Sequence, residues 1–442
     1  MNIYKKSSSF ILKMPQKSVF NIFLLGVFLV LLPPVRLPFL DLSFWNTNLL
    51  GRGLIDLAFL YVLLKSFFDR KEVFVVKKNN VFYVFAVLGV FVLHSLSVFS
   101  AINILTFLKA FEKLIFGFMG FLSITYFVGK NKKVVFEKII LVFFLAGIFK
   151  LLLEAMLIAY PEFSTTFADI VLKEEVARSI RANLARGRTY IDLLLEISLP
   201  FFLYYFLKKG TRNYLKLAGL VLGVLLGFVS FLSTWRGRFV IYITMVVFSF
   251  AYLKSLNFKK AAFLFATGLF LLLSFYLLDK RQILNQGFSV VDRLLNKDVV
   301  EDQMTISWRI EAIKESFVMG SVSLFGVGIG NYYEWTAFKP ITQYLPQNQK
   351  LITEAAATSG PHNIFAQFLA ETGYFSFVVF ILVLLVFLVN DLKIFLSKDV
   401  LWLEKMTIVL AFWGLIAGTL FYPATSLSFF ISFFVFRGLL YN

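Results

Sequence analysis

The sequence predicts an all-α, polytopic integral membrane protein with about 12 transmembrane helices, and three observations lead to that prediction. The 442 residues are 59% hydrophobic and include 57 phenylalanines, whereas soluble domains are only about half apolar. Apolar runs of about 18 or more residues recur along the whole chain, and each is long enough to cross a hydrocarbon core. Basic residues are concentrated in alternate loops, as in helical membrane proteins.

The predicted spans succeed one another in a single membrane domain that takes in residues 1–442. Two longer polar segments separate them, residues 160–188 and residues 279–361. The larger segment falls between the ninth and tenth spans. The spans lie at about 18–32, 49–68, 80–99, 102–128, 134–159, 189–207, 213–233, 238–253, 260–278, 362–389, 403–421 and 424–440.

The distribution of lysine and arginine predicts the orientation. If both termini are cytoplasmic, the short cytoplasmic loops and the C-terminal end hold 22 basic residues, against 4 in the short outer connections. Cytoplasmic loops carry such an excess, so residues 160–188 and 279–361 are predicted to lie on the outer, extracytoplasmic side of the membrane. The same bias explains the net charge of +18. We therefore expect membrane lipids, and not nucleic acid, as the partners of the basic residues.

The larger outer segment contains a predicted amphipathic helix, "TISWRIEAIKESFVMG", which lies on the membrane or on the helix bundle. Its apolar residues at helical spacing are Ile306, Ile310, Ile313 and Phe317. The glycines of "LFGVGIGNYY" then interrupt regular structure. They resemble a dinucleotide fingerprint only superficially, because no strand–helix–strand context surrounds them.

Three residues at the predicted outer face carry candidate chemistry: Arg236, Arg309 and His362. Arginine has a permanent charge and a planar fork of donors that matches phosphate oxygens. Histidine can be neutral at working pH and accept a proton from a hydroxyl. Each residue also has a structural interpretation, since arginines at span ends reach lipid headgroups and single membrane histidines are often hydrogen-bonded within the bundle. The structural interpretation is preferred for His94.

The order of three motifs resembles the O-antigen ligase and polymerase superfamily. These are "TWRGRFV", "SWRIEAIKESFVMGSVSLFGVGIGNYY" and "PHNIFAQFLAETGYFSFVVFILVLL", within residues 230–385. In that family a short outer turn carries an arginine, and a second arginine opens a helix that runs into a glycine stretch. A histidine followed by asparagine then begins a span that contains "E-x-G". The twelve-span layout with a large outer loop is also similar.

The resemblance implies a metal-independent, inverting membrane glycosyltransferase of the C-type class, with no cofactor. It assigns diphosphate binding to Arg236 and Arg309 and the role of general base to His362. Position and charge make four further residues candidates for substrate binding: Arg238, Asn363, Arg186 and Arg188. The implied donor is a glycan on a polyprenyl (undecaprenyl) diphosphate carrier, and the implied acceptor is lipid A–core. The polymerase of the same superfamily is the first alternative.

Charged residues also lie within the predicted spans, among them Lys150 with Glu154 and Asp192 with Glu196 at a spacing of four residues. Intramembrane charges face cavities or each other. We expect them to pair helices around a polar donor cavity. The alternative is the ion relay of a lipid or glycan transporter, but the chain lacks the clear inverted repeats that such a transporter usually has.

Overall fold

A computed structural model describes residues 15–34, 46–69, 81–160, 166, 195–232, 236–249, 251–252, 300–338, 363–420 and 426–441. Every regular element within these ranges is a helix, which confirms the predicted all-α class. In chain order the α-helices there are α1 (Gln16–Leu31), α2 (Thr47–Asp69), α3 (Val81–Leu96), α4 (Ile104–Lys130), α5 (Lys132–Ala159), α6 (Leu199–Leu207), α7 (Asn213–Leu232), α8 (Arg236–Ser249), α9 (Val300–Val322), α10 (Tyr332–Phe338), α11 (Ile364–Leu396), α12 (Trp402–Gly418) and α13 (Leu427–Leu440). Short 3-10 turns at Ser97–Ser100 and Leu195–Ser198 follow α3 and precede α6.

Helices occupy eleven of the twelve predicted span positions, and the ninth position, 260–278, lies outside the described residues. Among the described helices, six are long and apolar enough to cross a membrane, and four more are apolar but shorter. The chain is therefore a multi-pass membrane protein. The count of twelve spans and the placement of the loops stay predictions.

The core of the bundle forms around α13, which packs against α4 and α12. Nearly every residue of α13 from Ile431 to Leu440 is buried, as expected for a helix that is apolar all round. Near its end, Arg437 is fully buried and donates two hydrogen bonds to Asp391 of α11, at 3.0 and 2.8 Å. The guanidinium lies against the rings of Phe387 and Phe412. This ion pair joins three helices.

The predicted amphipathic helix is present as α9, which packs along α11. The residues it buries are small or flexible, namely Ala312, Ser316 and Met319. Ile310 and Phe317, from the predicted apolar stripe, are about half exposed instead. The face of α9 that packs on α11 is therefore not the apolar stripe. Small side chains on the packed face let the two helix backbones approach closely.

Candidate functional site

The structure describes four of the predicted site residues in part or in full. Arg236 is the first residue of α8, so it belongs to the helix and not to the connection before it. Arg309 lies in α9 with a partly buried side chain. Asn363 precedes α11, and Arg238 lies in the first turn of α8. His362, Arg186 and Arg188 lie outside the described residues. Most of the predicted loop 160–188 also lies outside them, and of the predicted loop 279–361 only residues 300–338 are described.

Asn363 caps the N-terminus of α11. Its side-chain oxygen accepts hydrogen bonds from the backbone N–H groups of Phe365 and Ala366, at 2.9 and 3.2 Å, and satisfies two donors that an uncapped helix leaves open. The N–H of Ile364 donates to the carbonyl oxygen of Thr419 at the end of α12. These bonds set the start of α11 directly after residue 362. A role for Asn363 in substrate binding stays a prediction.

Arg238 is fully buried and faces carboxylates. Its Nε donates to Oε1 of Glu196 at 2.7 Å, and its Nη1 donates to Oε1 of Glu154. Both glutamates are also fully buried, and Ser230 donates to Glu196 Oε1 at 2.9 Å. The expected pairing of intramembrane charges is therefore found here, although the arginine partner was not foreseen. Substrate binding by Arg238 stays a prediction.

A break in α11 at Gly373 receives the glycine-rich segment that follows α9. Gly373 has φ 80° and ψ 170°, which interrupts the helical bonding pattern. In an unbroken helix the carbonyls of Ala370 and Glu371 would accept from the N–H groups four residues later. Here they accept from Val327 and Gly328 instead, at 3.0 and 2.9 Å. We name residues 324–332 together with 370–373 the glycine clasp.

Two glycines make the clasp possible. Gly326 (φ 67°) and Gly373 both have positive φ, which residues with a Cβ rarely adopt. An added Cβ at Gly326 would lie under 3.0 Å from the Ala370 carbonyl oxygen, and one at Gly373 would lie under 3.0 Å from the Leu324 carbonyl oxygen. Each position therefore requires glycine for both conformation and space.

The side-chain carboxyl group of Glu371 lies next to the backbone N–H groups of Gly330 and Tyr332. Gln367, one turn earlier, donates to the same carboxylate at 3.2 Å. Since Tyr332 begins α10, a side chain of α11 lies at the N-terminus of another helix. The Tyr332 hydroxyl donates to the Ala312 carbonyl oxygen of α9 at 3.2 Å. Burial raises the pKa of this phenol, so it stays protonated and keeps its donor role.

The clasp is also joined to the start of α4. Asn331 is fully buried, and its side-chain oxygen accepts from the N–H of Asn103 at 2.7 Å. Glu334 of α10 accepts from Asn103 Nδ2 and Thr106 Oγ1, at 3.2 and 2.9 Å. As a result, α9, α10, α4 and α11 are held together at one end of the bundle. The glycines and "E-x-G" are visible as sequence motifs, but their spacing along the chain does not predict this contact. The sequence feature that could have revealed it is that the glycine stretch and the "E-x-G" motif belong to the same family signature.

A cavity of about 50 Å³ lies between α3, α4, α11 and α13, next to the clasp. Its polar lining includes His94, Gln367 and Glu371, and the volume is sufficient for a few water molecules. His94 Nδ1 donates to the Val90 carbonyl oxygen at 2.7 Å, and its ring lies edge-on to Phe368. His94 thus makes the kind of bond within the bundle that the structural interpretation predicts.

Residues 221–381 match a family model described as O-antigen ligase. The resemblance to the O-antigen ligase and polymerase superfamily is confirmed. The matched residues, which we name the ligase-family region, run from the middle of α7 to the middle of α11. They contain the glycine clasp together with Arg236, Arg309 and His362. No curated protein matches the chain.

No group of three or more histidine and acidic side chains placed to hold a metal ion occurs among the described residues. The described part of the ligase-family region contains arginines, a capping asparagine and a buried glutamate. Cationic forks of this kind suit the oxygens of a phosphate or diphosphate.

Proposed function

We propose that the protein is a membrane glycosyltransferase that moves a glycan from a polyprenyl (undecaprenyl) diphosphate carrier to lipid A–core, as an O-antigen ligase does. The observation that carries this proposal is the ligase-family match over residues 221–381. That region holds Arg236, Arg309 and His362 in the order in which the family uses two arginines and a histidine. The reaction belongs to lipopolysaccharide biosynthesis.

In the proposed reaction, the acceptor hydroxyl attacks the anomeric carbon of the donor sugar. His362 takes the hydroxyl proton as the new glycosidic bond forms, and the bond from the anomeric carbon to the diphosphate oxygen breaks. Attack from the opposite face inverts the configuration. Arg236 and Arg309 stabilise the charge that develops on the departing diphosphate, and such electrostatic stabilisation is usually the largest catalytic contribution. The carrier diphosphate is already an activated leaving group, so the proposal needs neither cofactor nor metal.

The packing of the described helices supports the proposal. Arg309 is carried by α9, which packs on α11 and is joined to it through the glycine clasp. His362 directly precedes the Asn363 cap of α11. The clasp therefore restrains α9, which carries Arg309, relative to α11, which begins shortly after His362 in the sequence. Catalytic groups must be held in this way to within a fraction of an ångström.

The proposed site faces the periplasm of a bacterial inner membrane, with both termini in the cytoplasm. The excess of basic residues in the predicted cytoplasmic loops supports this orientation. The donor and acceptor headgroups would then lie at the outer surface of the same membrane.

The polymerase of the same superfamily is the second candidate, because it uses the same donor and differs only in its acceptor, a second lipid-linked repeat. Analysis of lipopolysaccharide from a deletion strain separates the two. Full-length glycan that accumulates on the carrier indicates the ligase, and single repeats attached to the core indicate the polymerase. Unchanged lipopolysaccharide would contradict both. Complementation with His362→Ala tests whether the phenotype depends on the proposed base.

A further inference from the structure

A buried charge cluster joins four elements next to Arg236. Arg238 of α8 contacts Glu196 of the 3-10 turn Leu195–Ser198 and Glu154 of α5, and Ser230 of α7 donates to Glu196. The exposed fraction of all four side chains is 0%. Each buried charge in such a place is costly unless it is paired and hydrogen-bonded. The cluster therefore specifies one arrangement of these four elements.

The charge balance of the cluster includes one more residue. Two glutamates face a single arginine, which leaves one negative charge in excess. Lys150 lies one helical turn before Glu154 on α5 and is also buried. Counted with Lys150, these side chains carry two positive and two negative charges. Buried groups are tolerated best when their charges balance in this way.

The contacts of Arg238 determine where α8 begins. Arg238 is the third residue of α8, and only residues 233–235 separate α8 from α7. Holding the guanidinium between α5 and the 3-10 turn therefore fixes the first turn of α8. Arg236 is the first residue of that turn, so its Cα is fixed as well.

The geometry points to a positioning role: Glu154 and Glu196 hold Arg238, and Arg238 sets the first turn of α8 so that Arg236 can bind the diphosphate. This inference rests on the proposed function. It replaces direct substrate binding by Arg238 with a role exerted through Arg236. An arginine whose N–H groups are directed at carboxylates would have to leave them, at a large cost in a buried site, to bind phosphate.

Substitution of Glu196 by glutamine distinguishes the two roles by the sign of its effect. If Arg238 binds the diphosphate, removing one competing carboxylate leaves binding unchanged or strengthens it. If Arg238 positions Arg236, the first turn of α8 shifts and binding weakens by about tenfold to a hundredfold, which corresponds to the loss of one hydrogen bond to a charged group. Arg238→Lys should weaken binding as well, because lysine cannot direct two separate donors at two carboxylates.

The experiment measures the affinity of the purified full-length protein in detergent for a short-chain polyprenyl diphosphate, together with thermal unfolding of each variant. Arg236→Ala gives the affinity that remains when the proposed diphosphate-binding side chain is removed. Asp391→Asn is the matched control, because it disrupts the other fully buried arginine–carboxylate pair described here, that of Arg437, far from α8 in sequence. It should lower the melting temperature and leave the affinity unchanged.

A second variant keeps the test decisive if Glu196→Gln does not fold. Lys150→Met combined with Glu154→Gln removes one charge of each sign and leaves the Arg238–Glu196 pair. This double variant should bind the polyprenyl diphosphate more tightly than either single variant. Wild-type affinity in Glu196→Gln, while Arg236→Ala is weakened, would overturn the positioning role and leave the proposed function standing. An unchanged affinity in Arg236→Ala would overturn both.

Discussion

Arg236 and Arg309 are proposed to bind the diphosphate, and substitution by lysine distinguishes this role from contact with lipid headgroups. Lysine carries the same charge and replaces a headgroup contact with little loss. At a diphosphate, lysine loses the planar fork. Hydrogen bonds to charged groups contribute about 1.5–3 kcal/mol each. Each Arg→Lys variant should therefore transfer glycan about 10- to 100-fold more slowly, at about 1.4 kcal/mol per tenfold change in rate.

Initial rates with purified protein and lipid-linked donor measure this effect. The two Arg→Ala variants should be slower still, and their double variant should lose less than the sum of the single losses, because both residues would serve one leaving group. Near-full activity in both lysine variants would refute the diphosphate assignment.

His362→Ala should remove most of the transfer activity and leave affinity for the donor intact, because its proposed task is proton abstraction. General-base assistance contributes about 10²–10⁴-fold, so a residual rate should be measurable. His94→Ala is the matched histidine control. It loses the bond to Val90 and the contact with Phe368, so it should lower the melting temperature more than the rate. Transfer at the wild-type rate by His362→Ala would place the base elsewhere.

At the scale of elements, the glycine clasp sets the relation of α9 to α11. Gly373→Ala and Gly326→Ala should each destabilise the protein, because the added Cβ meets a backbone carbonyl oxygen and the backbone keeps a positive φ. Strained backbone of this kind costs about 1–3 kcal/mol. Gly89→Ala in α3 is the control, since no heavy atom lies within 4 Å of its added Cβ. Thermal unfolding in detergent should show a lower melting temperature for the first two variants only.

Several of these elements could be predicted from sequence, but their interfaces could not. Helical spacing in residues 305–320 predicts α9, yet the face that α9 turns to α11 is the one with Ala312 and Ser316. Apolar periodicity identifies a face that avoids water, and in a membrane protein that face can meet lipid as well as protein. Ile310 and Phe317 are therefore compatible with the predicted contact with the membrane.

At the scale of the whole molecule, two arginines that entered the charge count are fully buried within the bundle. Arg437 and Arg238 are both buried, with carboxylate partners 46, 84 and 42 residues away in sequence. Without them the count changes from 22 against 4 to 21 against 3. The orientation predicted by the bias is therefore unaltered. Sequence alone cannot separate a loop charge from a buried ion pair, because the partners are brought together only by the fold.

Orientation is tested by reporter fusions. Fusions after Lys78, Lys209 and Lys260 should report a cytoplasmic location, and fusions within residues 290–350 should report a periplasmic one, because lysine and arginine are retained on the cytoplasmic side. A cytoplasmic reading for residues 290–350 would contradict the proposed function, since Arg309 would then face the wrong side of the membrane.

The reciprocal contact of Gly326 and Gly373 has a consequence for the evolution of related chains. The space that each glycine leaves is filled by the backbone around the other, so a larger residue at one position finds no compensating substitution at the other. Lineages should therefore retain both glycines or lose both, the latter together with a rebuilt segment between α9 and α10. The two positions form one inherited character, separated by 46 residues of sequence that remain able to diverge in length and composition.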